Sequence, residues 1–186
     1  LMDILTSVAR SMGDIHALGN PHIQLDPRNI AAVAKALTAR LASLDAANAE
    51  YYHARGADFQ TRWQQAIVRW EAAAAPLKGA SVVVIHVDQR YLCRWLGLGQ
   101  LAAIEPKPGV PPSAGYLADL VAKLSANRPQ MILRNAYNDP KAADWLSKKV
   151  GVPVVTLPFS VGGTPEAKDL FGLFDDTIHR LLAAAK

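Results

Sequence analysis

The chain has 186 residues, 51% of them apolar and 19% charged, which predicts about one domain's worth of soluble core and, with no apolar run of about eighteen residues, no membrane span. Its 20 basic and 16 acidic residues give a formal charge of +4 but form no block, too diffuse for a nucleic-acid groove, so no nucleic-acid partner is expected. Cys93 is the single cysteine and excludes an internal disulfide; its place in "RYLCRWLGL" predicts a buried, packed thiol.

In chain order, the first residue is leucine and no charged-then-apolar leader opens the sequence, so whatever preceded it is expected to have been removed. From Asp26 the pattern is helical. Asp26 is the expected N-cap and Pro27 the first helical residue, with Ile30, Val33, Ala34, Leu37, Leu41 and Leu44 at three- and four-residue spacing. A second helix is expected from about residue 46 to 75, capped by Asp45, with Tyr52, Phe59, Trp63, Ile67 and Trp70 on its buried side and Pro76 and Gly79 ending it. At 1.5 Å per residue it extends about 45 Å, a rod suited to a spine between lobes.

After Gly79 the pattern alternates. Strands are expected at 81–86, 101–105, 130–135 and 153–158, and helices around "RYLCRWLGL", at 113–127, at 140–151 and from 164 to the end. Short continuous apolar strands between amphipathic helices predict an α/β fold: a sheet of about four strands, mostly parallel, with helices on both faces, preceded by a long linking helix. Ligands of such sheets gather beyond the carboxyl ends of the strands, where His86, Glu105, Asn135 and Pro158 stand.

Two histidines stand out by position: His22, in the turn "GNPHIQLDP", and His86, closing the first strand. Neutral imidazole is the commonest side-chain ligand for zinc, but no short metal motif joins the two, and ordinary capping or packing histidines would satisfy the same pattern. His16 could reach the same locus if its loop folds back; a solvated loop histidine is the alternative. His53 and His179 lie within helices and suggest no chemistry. Ser113 reads as a helix cap after the proline-stiffened "EPKPGVPP", "SVGG" at 160–163 is a poor phosphate cradle, and no Gly-x-Ser-x-Gly elbow is present. Asp175 and Asp176, at adjacent helical positions about 100° apart, do not converge on one atom and are expected on a solvated helix face.

Taken together, "GNPHIQLDPRN", "VVVIHVDQRYL", "IEPKPGVPPSAGYLADLV" and "VVTLPFSVGG" resemble, in order and across nearly the whole chain, the second half of the zinc- and manganese-binding solute-binding proteins of bacterial ABC importers. The resemblance implies two α/β lobes joined by a long rigid helix, one metal in the cleft between them, and delivery to a membrane permease. It divides the chain into residues 1–25, an inter-lobe remnant carrying a metal loop; 26–78, a helical segment with the linking helix; and 79–186, the C-terminal α/β lobe. It implies metal ligands at His22 and His86, with His16 a further candidate. It also implies zinc as cargo with manganese as the alternative, a periplasmic location, and the permease and its ATPase in the inner membrane as partners. Binding without catalysis is therefore expected. Two departures stand out: Pro158 occupies the place of the family's last aspartate ligand, and Asn135 that of an acidic residue many members carry. An N-terminal lobe supplying another ligand is expected to be missing, which leaves self-association as a way to complete the site. The rival readings are a zinc hydrolase with Glu105 as general base, and a structural or adhesive module whose histidines cap and pack more than about 8 Å apart.

Overall fold

The computed structural model describes residues 20–107 and 110–185. His16 lies outside the described residues. Helix α1, Pro27–Leu44, begins as expected: Asp26 takes extended backbone and its side chain accepts from the Arg28 N–H, with Pro27 at the first position. Helix α2, Ala49–Ala74, is shorter at its start than expected, because a 3-10 turn, Ala46–Asn48, intervenes. Asp45 does not cap α2; its carboxylate accepts instead from Asn48 Nδ2 at 2.9 Å and from the Tyr52 hydroxyl at 3.0 Å. The two helices form a close hairpin. Gln60 Nε2 donates to the Ala31 carbonyl at 2.8 Å, and a Cβ on Gly56 would meet Thr38 Oγ1 at 2.4 Å, so the approach depends on a residue without one.

Four strands follow, β1 Ser81–Val84, β2 Gly99–Ala103, β3 Met131–Asn135 and β4 Val154–Leu157. They form one sheet in the order β2-β1-β3-β4, every pair parallel. The connections are α3 Arg90–Leu96, α4 Ala114–Ala126 and α5 Lys141–Val150, and α6 Leu170–Ala184 closes the chain. Ser113 caps α4, its Oγ accepting from the Tyr116 N–H. β2 starts earlier than its apolar run suggested, and a register shift between Val82 and Val83 leaves Leu101 without a partner on β1.

Alternation along the strands builds a core on each face. Val82, Val84, Met131, Leu133, Val155 and Leu157 point towards α2, α3 and α6, while Val83 and Ile132 point towards α4 and α5. The first face holds an aromatic cluster: Trp63 stacks on Phe59 at 5.2 Å and meets Trp70 edge-on at 5.1 Å and Phe174 at 5.6 Å, while Trp95 meets Phe174 at 5.5 Å. The second half of the long helix is thus built into the lobe. Cys93 is buried in the same core, where desolvation pushes its thiol up to about 12.

Two expectations change near the C-terminus. The last helix starts at Leu170, not Thr164, because Asp169 caps it through the Gly172 N–H and residues 164–169 form turns. Asp176 is not solvated. It is buried, accepting from Arg180 Nε at 2.6 Å and from the Thr164 hydroxyl at 2.6 Å, while exposed Asp175 accepts from the Trp70 indole.

Candidate metal centre

A parallel sheet sends every strand's carboxyl end to one edge, and the site is assembled there from loops far apart in sequence. His22 stands in the segment before α1. The Ile23 N–H bonds to the Pro21 carbonyl at 2.8 Å, and the 3-10 turn Ile23–Leu25 runs straight into the Asp26 cap. Asn29 Nδ2 holds the same turn from below, donating to the Ile23 carbonyl at 3.1 Å. Asn20, itself buried, accepts on Oδ1 from the His22 backbone N–H at 3.0 Å, and its Oδ1 lies 2.7 Å from His22 Nδ1. Its Nδ2 donates to the Val87 carbonyl at 3.0 Å, and its own carbonyl accepts from the Tyr91 hydroxyl at 2.9 Å.

His86 leaves β1 in extended backbone at the head of a short 3-10 turn, Val87–Gln89, and its side chain makes no capping bond to that turn. The β1–β2 ladder continues past the strand ends, Ile104 N–H to Val84 at 2.8 Å and Glu105 N–H to Ile85 at 3.0 Å, which sets Glu105 beside His86. His86 Nδ1 lies 3.3 Å from Glu105 Oε2, both side chains about a quarter exposed. The rings of His22 and His86 come together with centroids 6.2 Å apart, edge to face at 85°. Phe159, just past β4, faces the His22 ring at 5.8 Å and the Tyr137 ring at 5.3 Å, closing one side of the site. It does so from a left-handed backbone, φ +63°, a costly conformation for a bulky residue.

Behind the histidines the buried side chains of Asp88, Gln89 and Asn135 form a polar knot that exposed Tyr137 joins from its rim. Asn135 Nδ2 donates to Asp88 Oδ2 at 2.5 Å and to the Tyr137 hydroxyl at 3.0 Å, the Tyr137 hydroxyl reaches Asp88 Oδ2 at 3.1 Å, and Gln89 Nε2 donates to Asn135 Oδ1. Burial pushes the Asp88 carboxyl above its ordinary range, opposed by the nearby His86 and by the bonds from Tyr137 and Asn135. Asn135 is thereby engaged with Asp88 and Gln89, and Pro158 is buried with no donor side chain to offer. Among the described residues no three histidine, cysteine, aspartate or glutamate side chains converge into a metal cage. The pair His22 and His86, each with one ring nitrogen beside an oxygen, is what the fold assembles. Position in the sequence pointed to both histidines and to Glu105 at a strand end, but not to Asn20, Asp88, Tyr137 or Phe159. An asparagine before Pro-His reads only as a turn residue until the Val87 carbonyl is seen opposite it.

The comparisons agree with the resemblance read from the residues. The sequence model of the ZnuA family, zinc-uptake complex component A, periplasmic, matches residues 5–184, and the chain belongs to that family. It is a family of uptake components, not of enzymes. The high-affinity zinc uptake system protein ZnuA of Bacillus subtilis (strain 168) is 25% identical over 154 residues, which cover 83% of this chain and 48% of that protein. The chain therefore spans about half the length of that relative. Among solved structures, a crystal structure of ZnuA superposes with TM-score 0.77 at 24% identity, covering 96% of this chain and 64% of the other. The solute-binding protein FpvC of Pseudomonas aeruginosa in complex with Mn2+ gives TM-score 0.71 at 22% identity, with 91% and 66% covered. A metal-free periplasmic metal-binding protein from Candidatus Liberibacter asiaticus gives 0.77 at 13% identity, with 100% and 69% covered. At these identities the structures share the fold with this chain.

Proposed function

We propose that the chain is the linking helix and C-terminal lobe of a periplasmic solute-binding protein that captures a transition-metal cation and hands it to an ABC permease and its ATPase. Zinc is the proposed cargo, and manganese the alternative. His22 and His86 are the proposed ligands, and His16 is a candidate for a third. In this reading residues 1–25 carry the metal loop, 26–78 the helical link and 79–186 the lobe.

The observation that carries the reading is the approach of the two imidazoles. Rings bound through nitrogen to one tetrahedral zinc at about 2.0–2.1 Å have centroids about 5 Å apart. The observed 6.2 Å needs a shift of only about 1 Å. Capping or packing histidines have no reason to face each other at a strand-end crevice. Two nitrogen donors favour zinc over manganese, which prefers oxygen. Two ligands alone make an open site, and a transport zinc takes three or four, so further donors come from another part of the full-length protein, from a second copy or from water. The hydrolase reading needs Glu105 free to activate water, whereas its carboxylate lies against His86 Nδ1.

The test is zinc and manganese binding by this chain and by the full-length protein, each with and without His22→Ala and His86→Ala. The expected result is tighter zinc than manganese binding and a loss of at least tenfold in zinc affinity with either substitution. If neither substitution weakens zinc binding in the full-length protein, the ligand assignment is wrong.

A further inference from the structure

We propose that Asn20 is the positioning residue of this site: its side-chain amide selects the tautomer of His22 and ties that imidazole to the loop carrying His86. The proposal rests on the reading of both histidines as cation ligands.

The orientation of the Asn20 amide is settled by two backbone groups whose roles cannot be exchanged. Nδ2 donates to the Val87 carbonyl at 3.0 Å, and Oδ1 accepts from the His22 N–H at 3.0 Å. A flipped amide would set N–H against N–H and oxygen against oxygen. Oδ1 therefore also faces His22 Nδ1, 2.7 Å away. An amide oxygen only accepts, so Nδ1 carries the proton of the neutral ring and Nε2 keeps its lone pair. Histidines that bind metals ordinarily donate their other ring N–H to a fixed oxygen in this way. Asn20 is 5% exposed, so little water competes for these bonds.

The same amide sets the spacing of the pair. Val87 directly follows His86, so the group that orients one imidazole is anchored to the backbone beside the other. The Tyr91 hydroxyl, from α3, fixes the Asn20 carbonyl at 2.9 Å, so the residue is held on both its main chain and its side chain. Aspartate at this position would still accept from both His22 groups but would turn an oxygen on Val87. Alanine would release His22 Nδ1 and strand the Val87 carbonyl.

The test uses the full-length protein and zinc ion alone, titrated against a competing chelator, with the His22 tautomer read from nitrogen-15 NMR of the metal-free protein at a pH where the ring is neutral. Wild type is expected to show His22 protonated on Nδ1. Asn20→Ala is expected to mix the tautomers and to weaken zinc by 10- to 100-fold. Asn20→Asp is expected to keep the Nδ1–H form and to recover part of that affinity, a rescue that a merely structural role would not give. A folded Asn20→Ala protein with wild-type zinc affinity overturns the proposal, as does a wild-type His22 protonated on Nε2. The wild-type tautomer decides the matter even if Asn20→Ala fails to fold. Unchanged zinc binding in His22→Ala would instead overturn the underlying ligand reading, whatever Asn20 does.

Discussion

The indole N–H of Trp63 donates to the carbonyl of Pro27 at 2.8 Å, joining the buried middle of α2 to the first turn of α1, just beyond His22. Trp63 is fully buried, and its ring also touches Phe59, Trp70, Phe171 and Phe174. Trp63→Phe removes both the bond and ring volume from a packed cluster, and is expected to cost about 2 kcal/mol. Equilibrium urea unfolding checks it; a midpoint equal to wild type would show that the cluster repacks freely.

The loop that carries Phe159 folds back tightly on itself. A Cβ on Gly163 would lie 1.8 Å from the Pro158 carbonyl oxygen, a backbone atom that cannot rotate out of the way. Gly163→Ala is therefore expected to lose roughly 2–4 kcal/mol by forcing the loop open, and to displace Phe159 from His22. Gly115→Ala, at a helical position with open space around it, is the control and should gain about 0.5 kcal/mol. Thermal unfolding of the two variants side by side reads the contrast.

Arg180 and Asp176 pair at 2.6 Å with the carboxylate side chain 3% exposed and the guanidinium 30% exposed. Removing the cation leaves a buried carboxylate that keeps the bond from the Thr164 hydroxyl. Discounted for the partly exposed guanidinium, Arg180→Ala should cost about 2 kcal/mol, more than an ordinary surface pair. A double-mutant cycle with Asp176→Asn measures it, and a coupling near zero would mean the pair is screened by water.

Burial raises the Cys93 thiol from 9.0 to about 12. The unfolded chain therefore loses this proton before the native one does, so the contribution to stability is complete below about pH 9 and fades as pH rises towards 12, by at most about 1.4 kcal/mol per pH unit. Between pH 8 and 10, wild type should lose stability relative to Cys93→Ala. The native thiol should also ignore an aromatic disulfide reagent at pH 8 and react once the chain is unfolded. Rapid native labelling would place Cys93 outside the core.

The alternating strands and helices after Gly79 were legible because each apolar run is short and bounded by glycine, proline or a cap such as Ser113. The start of α6 was not. Thr164-Pro165 has the look of a helix opening, but the Thr164 hydroxyl is taken by Asp176 and the Gly162 N–H reaches the Ala167 carbonyl at 2.7 Å, so the chain turns there and Asp169 caps instead. Asp176 was misread for a related reason: a residue's own helix gives its direction, whereas its burial depends on the loop laid over it. His22 and His86 could each be picked out by position and by resemblance. Their approach to 6.2 Å depends on strand order and on Asn20, neither of which local spacing encodes.

Because β1 to β4 all run the same way, the loops leaving their far ends crowd onto one patch while the two hydrophobic faces lie elsewhere. Such a layout separates the residues that hold the scaffold from those that line its rim. Substitutions at that rim can alter what the patch binds without disturbing the parts that make the polypeptide fold.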